Sequence, residues 1–163
     1  MPMATTPNTA AIGDAIVAYL AALTYPNTAP VYNLVQLEAI KDVTTQVAGG
    51  YACAEVYGND DSSIRHAFGG KMRDEQSWFI LSMCSLDTPQ QARQIYVIRD
   101  ALVQPFATHA TLGNTGSVFH AELKPNSGKF LRIARNGQEL RAHLIEVFTM
   151  QEWVVPTPPG VIA

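Results

Sequence analysis

Cysteine is scarce: Cys53 and Cys84 are the only two in 163 residues, and neither a CxxC nor a Cys/His spacing of the zinc-site kind occurs. Both lie in apolar stretches, so buried free thiols in a reducing compartment are expected rather than a disulfide or a zinc site. Charge of one sign is also lacking. A net charge of −3 leaves only short basic stretches, which argues against a nucleic-acid binder except through a local patch. No apolar run approaches the ~20 residues that would span a bilayer, and the N-terminus has no basic n-region of a signal peptide. A soluble chain made inside the cell, with no membrane contact, is therefore expected. Gly-x-Ser-x-Gly, Walker, His-Glu-x-x-His and Gly-x-Gly-x-x-Gly signatures are all absent. His66, His109, His120 and His143 stand far apart with no acidic residue or cysteine at ligand spacing, and they read as surface or core histidines. No catalytic residue, metal or cofactor is expected.

What is present is a core. At 47% hydrophobic residues the chain can bury a substantial single domain. Its organising stretch is Gln76 to Val103. Trp78, Ile80, Cys84 and Leu86 fall on one face of an apolar strand and Phe79, Leu81 and Met83 on the other, so the strand is expected to be central and covered on both sides. Thr88 is placed to accept the amide of Gln91, whose side chain can reach back, and Pro89 fits the first helical position. Ala92, Ile95, Ile98 and Leu102 then recur at helical spacing. Pro105 is expected to stop that helix, because its ring would clash with the Ala101 carbonyl.

Taken in order, residues 1–10 read as a flexible arm, 11–153 as the domain and 154–163 as a proline-rich tail that cannot continue a sheet. Ala11 to Leu23 predicts a helix, Val31 to Leu37 a short edge strand, Glu38 to Val47 a helical turn, and Tyr51 to Tyr57 a strand. Gly58 to Arg73 predicts a long loop opening on a turn cluster, Gly58-Asn59-Asp60-Asp61-Ser62-Ser63. Val118 to Leu123 alternates as a half-exposed strand. Lys129 to Arg135 and Leu140 to Met150 form a hairpin on the type I′ turn Asn136-Gly137, with a bulge or a switch of covered face near Leu144-Ile145. The fold class is α+β: a mixed or mostly antiparallel sheet with an N-terminal helix and a second helix packed on it.

The candidate surfaces are few. Asp60-Asp61 reads as an ordinary turn before it reads as a cation site. The segment with Arg65, His66, Phe68, Lys71 and Arg73 suits either an acidic protein surface or a nucleic-acid backbone, and equally a solvated loop with one anchoring Phe. Arg132, Arg135 and Arg141 bracket the hairpin beside Glu139. They form either a charge-balanced solvent face or an arginine-rich tip aimed at a neighbouring subunit or a ring lumen. Trp153 docks either on the domain or on a second copy. An enzyme would have to use His120, Glu122 and His143, on strands expected to be adjacent. A free-standing, non-catalytic protein-binding module, or a head-completion or neck adaptor protein, would look much the same.

The order of elements from Ala11 to Trp153 resembles the tail terminator and tail completion proteins of long-tailed bacteriophages. The resemblance rests on the N-terminal helix, the strands Tyr51 to Tyr57 and Gln76 to Leu86 with the loop between them, the Thr88-capped helix and the closing hairpin. It implies a homo-oligomeric ring, commonly a hexamer, that closes the tail tube and joins it to the head without catalysis. Its partners would be itself, the tail tube protein and a head-tail connector or neck protein. Nucleic acid would at most pass through the lumen, and the protein would reside in the virion. The Gly58 to Arg73 loop and the 135–141 hairpin are the surfaces expected to project and make the contacts.

Overall fold

The computed structural model describes residues 9–67, 70–107, 112, 118–125 and 127–154, with the side chains of 60–67, 71, 105, 107 and 118–120 left aside. Residues 1–8 of the expected arm (1–10), Phe68, and residues 155–163 of the expected tail (154–163) lie outside the described residues, whereas Thr9 and Ala10 open the first helix and Val154 ends the last strand. The elements run α1 (Thr9–Ala21), β1 (Leu34–Leu37), α2 (Val43–Val47), β2 (Ala52–Ala67), β3 (Lys71–Ser85), α3 (Pro89–Ala107), β4 (Val118–Leu123), β5 (Lys129–Arg135) and β6 (Gln138–Val154). Six strands form one sheet in the order β1-β2-β3-β6-β4, with β5 also paired to β6. Among the described strands only β1 and β2 run parallel. This is the expected α+β class.

β3 is central because both of its edges are bonded, to β2 on one side and to β6 along its whole length on the other. Its two apolar faces then need separate covers. Trp78, Ile80 and Cys84 join Ala52, Ala54, Val56, Ile145 and Val147 under Ile12, Ile16 and Leu20 of α1 and Ile95, Ile98, Leu102 and Phe106 of α3. On the second face, Cys53, Met83, Leu140 and Ala142 pack with Ile40, Val43 and Val47 around α2. The α1 helix can lie this close because Gly13 has no side chain. A Cβ there would stand 2.9 Å from a Trp78 ring atom and 3.0 Å from Leu37.

The helix start at Thr88 is as expected, its hydroxyl accepting the Gln91 amide at 3.2 Å. The reciprocal half of the capping box is not made, since Oε1 of Gln91 is buried without a partner. The expected stop at Pro105 is wrong. α3 continues to Ala107. Proline removes one amide bond in a final turn, and that turn carries Phe106, fully buried with its ring 5.3 Å from Tyr19. Burying such a side chain contributes roughly 1.5–3 kcal/mol, enough to offset the lost bond.

The expected long loop from Gly58 to Arg73 is likewise a correction. The chain stays in strand to Ala67 and resumes at Lys71, with a register shift between Gly58 and Ser62 where the turn cluster was expected. Strand propensity there is poor, but β3 is held from its far side by β6, from Lys71↔Val154 to Ser85↔Leu140, and gives β2 a template to follow. The same pairing carries the last strand past its expected end at Met150, through Trp153 opposite Met72, to Val154 opposite Lys71, where the tail was expected to begin. Near Leu144-Ile145 the β3–β6 register is unbroken, so no bulge is present. What changes is the outer partner of β6, from β5 up to Leu144 to β4 from Val147.

Replacing Trp78 with Ala should cost about 3–5 kcal/mol and Thr88 with Ala about 1 kcal/mol, read from denaturation midpoints. Gly13→Ala should also destabilise, by about 1–3 kcal/mol, although alanine favours helices. An unchanged midpoint for Trp78→Ala would overturn the central-strand assignment.

Candidate functional site

The three hairpin arginines part company. Successive residues of a strand point to opposite faces, and Arg135 lies on the α2 face while Arg132 and Arg141 lie on the α3 face. Asn136 and Gly137 both have positive φ, as a type I′ turn requires. The hairpin tip does not project as expected. It folds against the segment before α2, with Asn136 Nδ2 donating to the Lys41 carbonyl at 3.4 Å.

Arg135 forms a two-pronged pair with Glu55, Nη2 to Oε1 at 2.7 Å and Nη1 to Oε2 at 3.0 Å. Glu55 is fully buried and also accepts from the Ile40 amide at 2.6 Å and from the Tyr57 hydroxyl. Burial alone would raise its pKa, but the bonds from Arg135, Tyr57 and Ile40 outweigh it and hold the carboxylate below its ordinary value. Every acceptor site of this buried charge is used, which makes the pair a device for pinning the hairpin over the second core and leaves no group free for chemistry. Glu139, the partner expected from sequence, stands across from Ala134.

Arg141 lies on the other face, its guanidinium carbon 5.8 Å from the centroids of both Tyr96 and Phe130. It donates to Tyr96 Oη at 3.2 Å and to the Leu131 carbonyl at 3.4 Å. The two rings are 5.0 Å apart and remain 47% and 42% exposed. Phe130 stacks in turn on His143 at 4.9 Å. His143 is buried, Nδ1 has no partner, and burial with the nearby Arg99 charge lowers its pKa to about 4. A pocket of about 310 Å³ beside it is lined by Arg99, Lys124, Ser127, Gly128 and Phe130 among others.

The remaining expected residues lie on the β2–β3–β6 ribbon. Arg65 is in register with Arg73, His66 with Met72 and Ala67 with Lys71. Arg73 pairs with Glu152 at 3.1 Å, and Trp153 is half-buried beside it. Of the residues an enzyme was expected to use, Glu122 does not share a face with His143. His120 and Glu122 are in register with Met150 and Phe148, strand positions of the opposite face from His143. Among the described residues no three His, Cys, Asp or Glu side chains are grouped to hold a metal, and no helix is long and apolar enough to cross a membrane. Cys53 and Cys84 are buried free thiols on opposite faces, pushed by burial up to about 12 and about 11.

Compared with known proteins, the chain matches no family model and no curated sequence.

Sequence reasoning missed Glu55, Tyr96 and Phe130. A charge inside the apolar run Tyr51 to Tyr57 was the available signal for the first, and an aromatic beside, not within, the Ile95-Ile98-Leu102 stripe was that for the second. Removing Arg135 should cost about 3–5 kcal/mol, because it leaves Glu55 charged and buried. The unpaired carboxyl then has a raised pKa, so the deficit of Arg135→Ala should shrink as pH falls toward 5; a deficit independent of pH would overturn the pairing account. His143 has the opposite sign of coupling. Its folded pKa near 4 lies below the unfolded value of 6.5, so the unfolded chain takes up the proton first and stability declines from pH 6.5 downward. His143→Gln should flatten that slope, worth up to about 3 kcal/mol, relative to the parent in denaturation series at pH 4.5–7.

Proposed function

We propose that this protein is a structural subunit of a homo-oligomeric ring, of the kind that closes a phage tail tube and joins it to the head, and that it acts by assembly without catalysis. One observation carries the reading. β1 bonds β2 only from Cys53 to Val56, and from Ser62 to Ala67 the described pairing of β2 is to β3 alone. Among the described residues this leaves the outer edge of β2 from Ser62 to Ala67, about 20 Å of strand, without a strand partner. Exposed edges of this length are templates for pairing with another chain. A ring uses such a surface safely, because head-to-tail contacts close on themselves and leave no edge for further growth. The polar chemistry agrees: Glu55, the most deeply buried carboxylate among the described residues, is saturated by structural partners. The proposed partners are the tail tube protein below and a head-tail connector or neck protein above.

Light scattering of concentrated protein, with electron microscopy of the assembled chain and of the tailed particles carrying it, tests the proposal. A closed ring, found as a symmetric layer between head and tail tube, is the expected result. Absence from that layer, or a monomer at every concentration and on purified tubes, would overturn it.

A further inference from the structure

The described surface divides its charge between two flanks of one layer. α1 lies against β1 and β2 at one end of the sheet, and α3 lies against β3, β6 and β4 at the other. On the first flank, Gly13 is in contact distance of Leu37, which brings Asp14 and Glu38 to the same edge. Both are exposed, as is Asp42 beyond them, with Lys41 as the base in that stretch. On the second flank Arg93, Arg99 and Arg132 are exposed and Arg141 is half-buried, against the exposed acids Asp100 and Glu139, while Lys129 points to the opposite face of the sheet. Four cations against two acids leave an excess of two there. With −3 for the whole chain, everything else then carries −5.

The basic flank also has a fixed apolar anchor. Tyr96 and Phe130 stack 5.0 Å apart while nearly half exposed, and Arg141 bonds Tyr96 and the Leu131 carbonyl. Two aromatics locked by an arginine cost little further side-chain entropy to bury, and such groups dominate protein interfaces. A polyanionic strand would meet the same cations. The chain, however, carries its own acidic flank at the far end of the same sheet, where a head-to-tail repeat brings it against the basic flank of the next copy.

We propose that the α3/β5 flank of one copy docks on the α1/β1 flank of the next, with Tyr96 and Phe130 as the buried anchor and Asp14 and Glu38 facing the arginines. The inference rests on the ring reading and names its contact.

The test is a reciprocal charge swap. Arg93→Glu with Arg132→Glu reverses one flank, and Asp14→Lys with Glu38→Lys reverses the other. All four positions are exposed, and circular dichroism checks that each double variant keeps the fold. Sedimentation should show each variant alone assembling about a hundredfold more weakly than the parent, because like charges now meet. An equimolar mixture should recover assembly in alternating order, with both contacts again complementary. Should either variant alone assemble as the parent does, or the mixture stay apart, this contact is wrong while the ring stands. Single-stranded DNA that binds the parent through Arg93 and Arg132 and blocks assembly would reassign the flank to nucleic acid. A parent that never assembles, even on tail tubes, removes the ring reading and the contact with it.

Discussion

The outer edge of β6 is divided between two strands, and much of the molecule is arranged around that division. From Gln138 to Leu144 the edge is bonded to β5, and from Val147 to Gln151 to β4, while the inner edge stays on β3 throughout. Because side chains alternate, β6 buries Leu140 and Ala142 toward α2 in its first half and Ile145 and Val147 toward the helices in its second. His143 and Glu146 sit at the changeover. Both are buried polar groups, one beneath Phe130 and the other held by Lys124 at 2.8 Å. The turn between β4 and β5 is tied to the same place, with the Lys124 amide and the Ser127 hydroxyl both donating to the Glu146 carbonyl.

Three arginines on one hairpin show how register, and not residue type, decides what a charge does. Arg135, on the α2 face, is drawn across the sheet to a fully buried carboxylate. Arg141, one face over, lies against two aromatic rings and keeps them in place. Arg132, directly opposite Arg141, stays in solvent. A buried pair such as Glu55–Arg135 adds little net stability over an apolar pair of the same shape, but removing either partner is severe. Its effect here is to fix where the hairpin tip lies, since Arg135 meets both oxygens of a fully buried carboxylate.

The parts of the fold legible in the sequence are those decided locally. The central strand, the Thr88 cap, the Asn136-Gly137 hairpin and the two-faced alternation of β3 all follow from neighbours within a few residues. The parts that were not legible depend on residues far along the chain. Gly58 to Arg73 looks like a loop because its own residues favour turns, yet it is held in strand through β3 by a β6 segment some 80 residues later. Glu55 finds Arg135 across a separation of 80 residues, where Glu139 was the obvious local partner. Pro105 ends most helices, but the burial of Phe106 beyond it is a tertiary fact. The candidate surface moved for the same reason: the tip that was expected to project is pinned down, and the exposed anchor is an aromatic pair assembled from α3 and β5.

In the proposed ring, the sorted charges cannot be what holds neighbouring copies together. Exposed ion pairs contribute at most about 1 kcal/mol each and are screened within ~8 Å at physiological salt, so flank complementarity acts chiefly on orientation and encounter rate. Adhesion has to come from burying Tyr96 and Phe130 and from the strand edge of the ribbon. The division of labour is useful, because a backbone edge accepts any strand and by itself selects nothing. Charge on the flanks supplies the selection that the edge lacks. Two modest contacts also favour closure over open chains. The last copy to enter a ring meets neighbours on both sides at once, so its second contact forms at the high effective concentration set by the first. On that proposal a subunit stays apart when dilute and closes where a tube presents a circular template.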